Sequence, residues 1–81
     1  MARLTRSAAK ELDSLPLAVQ AKADALIARL DSEPALGKKL KGQLDGLRSV
    51  HLVRTHRIIY KLDTSGPIVI AVVPRKDAYR R

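Results

Sequence analysis

The chain has no cysteine, no phenylalanine and no tryptophan, and only two tyrosines. Without cysteine there is neither a disulfide framework nor a thiolate metal site. Two histidines are too few for a structural zinc centre. The core must therefore come from Leu, Ile, Val and Ala. Two tyrosines also make a poor platform for stacking bases, which disfavours a general single-strand nucleic-acid binder. No run of about 18 apolar residues and no signal-peptide pattern appears, so the expectation is a cytoplasmic protein with no membrane role. There is no glycine-rich phosphate loop, no defensible Ser-His-Asp arrangement and no carboxylate pair in the basic half. The expected chemistry accordingly uses no cofactor and no metal.

What is abundant is positive charge. Sixteen Lys and Arg stand against eight Asp and Glu in 81 residues, a formal +8. Up to Ala35 the two signs balance, so the excess lies in the C-terminal half. A solvated surface would spread its charge evenly; segregation of this kind points to a polyanion, either nucleic acid or an acidic protein segment. Eighty-one residues are read as one small domain, residues 1–81.

Residues 2–5 are ambiguous and suit a short edge strand. Thr5 or Ser7 can cap a helix running to about Ser14, with Ala8, Ala9 and Leu12 inward. Pro16 opens a second helix, in which Val19, Ala23, Leu26, Ile27 and Leu30 form one apolar stripe. So short a connection predicts an αα-hairpin. Residues 31–46 carry Pro34, Gly37, Gly42 and Gly46 and read as a loop; its Lys38, Lys39 and Lys41 are candidate phosphate contacts.

Residues 47–62, LRSVHLVRTHRIIYKL, alternate apolar and polar on both sides of Arg54-Thr55, the pattern of a half-buried β-hairpin. A two-residue turn there sets Val53 opposite His56, Leu52 opposite Arg57 and Val50 opposite Ile59. Arg48, Val50, Leu52, Arg57, Ile59 and Lys61 then share one face; Ser49, His51, Ile58, Tyr60 and Leu62 share the other. A bulge instead moves His51 to the Arg57 face, and the residue types leave that choice open. After a turn at 63–67, Ile68–Val73 is an apolar strand that ends at Pro74. One face of it takes the helices, and a partner is expected on the other. Arg75 and Tyr79 follow, four apart. The fold class is α+β: two N-terminal helices on a twisted antiparallel sheet of three to four strands.

Cations without balancing carboxylates suit a phosphate whose charge grows in the transition state. Cleaving RNA through its own 2′-hydroxyl needs a proton acceptor, cations around the phosphorane and a donor to the leaving oxygen. Histidine is the side chain that ordinarily exchanges protons near neutrality.

The runs KLKGQLDGLRSVHLVRTHRIIYKLD and IVIAVVPRKDAYRR, with SAAKELDSLP before them, resemble the RelE/ParE superfamily of bacterial toxin–antitoxin toxins. The likeness covers nearly the whole chain and is strongest from Lys39 onward. It implies the α+β fold just described, an acidic antitoxin as partner and, in the RelE branch, a metal-independent endoribonuclease that cuts mRNA in the ribosomal A site. On that resemblance Arg57 stabilises the phosphate, Arg75 sits by the leaving group, and Tyr79 orients a base or moves a proton. Arg48 aligns with a basic strand position, while a second basic position falls on Val50. His51 resembles the functional histidine of the YafQ-like branch. Lys38, Lys39, Lys41, Arg54 and Lys61 are the expected RNA contacts. Two alternatives share the fold: a ParE-like inhibitor of DNA gyrase without nuclease activity, and an inactive homologue that only binds antitoxin.

Overall fold

The computed structural model describes residues 2–42, 46–54 and 56–74. The described chain runs β1 (Arg3–Leu4), α1 (Arg6–Asp13), α2 (Leu17–Ser32), β2 (Lys38–Lys39), β3 (Leu47–Val53), β4 (His56–Asp63) and β5 (Gly66–Pro74). The strands form one sheet in the order β1-β5-β4-β3-β2. The expected three to four antiparallel strands are thus five, and the sheet is mixed: β1 runs parallel to β5, and the other pairings are antiparallel. β1 falls where a short edge strand was expected; it and β2 are two-residue edge pieces, and β2 is the one that was not expected. β2 lies inside the stretch expected to be loop.

Thr5 joins helix and sheet. Its hydroxyl accepts from the Ala8 N–H at 3.2 Å, capping α1, and donates to the Ile70 carbonyl at 3.3 Å. Its own N–H donates to the Val69 carbonyl at 3.0 Å. Past the end of β1, the outer edge of β5 is finished by a helix side chain: the Glu11 carboxylate accepts from the Val72 N–H at 2.8 Å. Strand edges left with unmet donors invite foreign strands, and this contact removes one.

Pro16 caps α2, and the Gln20 side-chain amide donates to the Leu15 carbonyl at 2.8 Å across the turn between the helices. Ala23, Ile27 and Leu30 of the expected stripe are buried, with Val19 and Leu26 packed beside them. The two helices touch each other little. α1 lies mainly on β5, and α2 lies on β3 and β5. The expected αα-hairpin is therefore a pair of successive helices held side by side by the sheet. The core beneath them comprises Ala8, Leu12, Ala23, Ile27, Leu30, Leu52, Ile58, Tyr60, Val69 and Val72. At about 25 cal/mol per Å² of apolar surface, burial of such side chains is the main stabilising term.

Val53 pairs with His56 as expected, but the register shifts directly afterwards. His51 stands opposite Arg57, Val50 opposite Ile58, Ser49 opposite Ile59 and Arg48 opposite Tyr60. Leu52 is the extra residue. The simple register would place Arg57 across from Leu52, on the core face. The bulge lets Leu52 stay in the core while Arg57 turns the other way. The expected partition of faces is corrected: Arg48, Val50, Leu52, Ile58 and Tyr60 lie on the helix side. Ser49, His51, Arg57, Ile59 and Lys61 lie on the open side, joined by Ala71 and Val73 of β5.

Candidate active face

The centre of the open face is Arg57. Second in β4, it is only 8% exposed, and Ser49, at 3%, is buried with it. Arg57 reaches diagonally along β3. Its Nη1 donates to the Ser49 hydroxyl at 3.0 Å, and its Nη2 lies 3.4 Å from His51 Nε2. An arginine has no acceptor atom, so this second contact is a hydrogen bond when His51 Nε2 is unprotonated and accepts. His51 itself is exposed. The face thus offers a held cation beside an imidazole open to solvent.

Lys38 stands across from Ser49 on the edge strand, hence on the same face. Lys61 is on this face four residues along β4 from Arg57, between Leu47 and Ile68. Both lysines are exposed. Lys39 pairs with Arg48 on the opposite face, Lys41 lies in the following loop, and Arg54 occupies the hairpin turn. These three remain exposed cations at the margin and do not join the Arg57 group. Arg75 and Tyr79 lie outside the described residues.

Arg48 does not share the Arg57 site. It faces the helix side, where its Nη1 donates to the Gly37 carbonyl at 2.9 Å. The Gly37 N–H in turn donates to the Tyr60 hydroxyl at 2.7 Å, and that hydroxyl donates to the Pro34 carbonyl at 2.8 Å. Arg48 therefore helps hold the 34–39 segment against the sheet. Ser49 is the site residue that sequence reasoning passed over. Its only signal was parity: it shares the face of His51, which the bulge makes the face of Arg57, and serine can accept from an arginine.

The fold has known counterparts. It matches the RelBE2 toxin–antitoxin complex from Mycobacterium tuberculosis with a TM-score of 0.81 at 28% identity, over 93% of this chain and 96% of that one. It also matches the YoeB/ParE toxin from Agrobacterium tumefaciens (TM-score 0.80, 23% identity, 91% and 96% covered). YafQ from E. coli strain BL21(DE3) aligns over 99% of this chain and 98% of its own, with a TM-score of 0.73 and 18% identity. A search of curated proteins returns no match. Two helices over one face of a small mixed sheet, with the arginine-centred face opposite, define a toxin of the RelE/ParE superfamily. Residues 2–79 match the family described as ParE toxin of type II toxin-antitoxin system, parDE, and the chain belongs to that family.

Proposed function

We propose that this toxin acts as a metal-independent endoribonuclease that cuts mRNA on the ribosome, and that an acidic antitoxin holds it in check. The observation that carries the reading is the bulge at Leu52, which brings His51 within 3.4 Å of Arg57 on the open face. His51 Nε2 exchanges its contact with Arg57 for the RNA 2′-hydroxyl and takes that hydroxyl's proton. The freed oxygen attacks the adjacent phosphorus, the bond to the 5′-oxygen breaks, and a cyclic 2′,3′-phosphate remains. Arg57 supplies a preorganised positive charge for the phosphorane, which is worth more in a partly desolvated site than in water. The departing 5′-oxygen needs a proton; the family resemblance gives that end of the reaction to Arg75 and Tyr79. Lys38 and Lys61 hold neighbouring phosphates as point charges. The solved toxin–antitoxin complexes with this fold support the antitoxin partner.

A second reading, inhibition of DNA gyrase without RNA cleavage, is favoured by the ParE family match and by the commitment of Arg48 to Gly37 instead of to the Arg57 site. One pair of assays separates the two. In a reconstituted translation system the protein is expected to truncate ribosome-bound mRNA. Arg57→Ala is expected to lower that rate by about 10²–10³-fold, the usual cost of removing a transition-state donor, with an unchanged far-UV circular dichroism spectrum. Intact mRNA together with inhibited gyrase supercoiling replaces the nuclease by the second reading. Neither effect, with antitoxin binding retained, identifies an inactive homologue.

A further inference from the structure

Resting on the nuclease reading, we infer that Ser49 is a positioning residue: its hydroxyl fixes the Arg57 guanidinium independently of the proton carried by His51. The two contacts of Arg57 on β3 differ in kind. Ser49 accepts at Nη1 with an oxygen that does not titrate in the working range of a protein, and it is buried. His51 accepts at Nη2 only while Nε2 is unprotonated, and it is exposed. Once His51 has taken a proton, two cations face each other and this contact turns from attractive to repulsive. A guanidinium held by His51 alone would move at the moment when the phosphorane most needs it. The neutral anchor two residues away on β3 holds it in place through the proton transfer.

The surrounding charges make such an anchor necessary. The titratable or charged groups on this face are His51 on β3, Lys61 and Asp63 on β4, Lys38 on β2 and Arg3 on β1, with Arg3 and Asp63 paired to each other at 3.4 Å. β5 contributes only Ala71 and Val73 beside Arg57 and Ile59. The Asp63 carboxylate sits six residues along β4 from Arg57 and is taken by Arg3, so the hydroxyl of Ser49 is the side-chain oxygen that β3 offers to Arg57. A carboxylate there would bind Arg57 more tightly but would cancel the charge the phosphate is to feel. Serine orients the cation and leaves its charge intact.

The test compares Ser49→Ala, which removes the oxygen, with Ser49→Thr, which keeps it on a residue suited to a strand. Two readouts are taken. The first needs no activity: the rotation rate and chemical shifts of the Arg57 side-chain nitrogens, by NMR, across the titration of His51. In the wild type and Ser49→Thr these signals are expected to stay restricted and nearly constant. In Ser49→Ala they are expected to broaden or shift as His51 becomes protonated. The second is mRNA cleavage against pH. Ser49→Ala is expected to lower kcat roughly tenfold, the worth of one hydrogen bond to a charged group, with little change in KM and with a steeper loss toward acid pH. Ser49→Thr is expected to restore both. Arg57 signals in Ser49→Ala that match the wild type at every pH overturn the inference. A wild type that cleaves no mRNA overturns the nuclease reading, while the NMR comparison still decides the role of Ser49.

Discussion

Gly37 shows how little room one residue can have. A Cβ built there would lie 2.6 Å from Tyr60 Cε1, 2.7 Å from the Tyr60 hydroxyl and 3.0 Å from the Ser49 carbonyl. The backbone has approached the buried phenol so closely that only glycine fits, and the approach lets the Gly37 N–H reach the hydroxyl. Gly37→Ala is therefore expected to cost about 1–3 kcal/mol, as overpacking commonly does. Tyr60→Phe keeps the ring and deletes the hydroxyl, leaving the Gly37 donor and the Pro34 acceptor without it, for about 1–3 kcal/mol. Urea denaturation measures both. The two changes disrupt one arrangement, so the double variant is expected to lose less than the sum of the singles. Strict additivity would show that Gly37 and Tyr60 are independent. Tyr60 was recognisable as core from its parity with Ile58. Its bonds to Pro34 and Gly37 were not, because they cross 26 and 23 residues of chain.

At the level of elements, the β3–β4 hairpin carries the main departure from the sequence reading. Its existence, limits and turn followed from alternation alone. The register did not, because alternation is read within each strand and says nothing of how the two strands' periods are phased. Phasing is decided by the core: with Val53 opposite His56, Leu52 and Arg57 compete for one face, and burying an arginine among aliphatic side chains costs more than a bulge. The same logic explains why Arg48 was grouped with Arg57 and is found across the sheet from it. The helices were readable because each has a wide apolar stripe and an identifiable start, Thr5 and Pro16. β2 was not, since two residues have no period, and β1 was legible only as an ambiguous edge strand at residues 2–5. The bulge also makes a prediction. Leu52→Ala is expected to destabilise the protein by about 2–4 kcal/mol, the range for aliphatic truncation in a core, out of a total near 5–15 kcal/mol for a domain. Ser49, His51 and Arg57 have no share in that packing. Because the cost of turning Arg57 into the core remains, cross-strand NMR contacts between His51 and Arg57 are expected to survive in the variant, and their loss would mean that the burial of Leu52 is what holds the bulge.

For the molecule as a whole, the sheet separates two kinds of surface. The helix side is closed by aliphatic packing. The open side sets half-buried Leu47, Ile59, Ile68, Ala71 and Val73 among Lys38, Lys61, Arg57 and Arg3, the last tied to the β4–β5 turn by a 2.6 Å bond to the Ser65 hydroxyl. An apolar strip rimmed by cations fits an acidic segment with apolar anchors, which gains area from the strip and steering from the rim. The antitoxin is expected to lie here, over the Arg57 site, so that inhibition is physical occlusion. Each exposed ion pair is worth about 0.2–1 kcal/mol, so Lys38→Glu combined with Lys61→Glu is expected to weaken antitoxin binding roughly tenfold. Most of that loss should appear in the association rate and fade at high salt, because rim charges act over a Debye length of about 8 Å at physiological ionic strength. Ile59→Asp places an unpaired charge on the strip itself, so its effect is expected to be larger, to appear in the dissociation rate and to persist in salt. Kinetic binding measurements at two salt concentrations distinguish the patterns. If neither variant changes binding while the antitoxin still blocks toxicity, the antitoxin sits elsewhere on the molecule and acts on Arg57 from a distance.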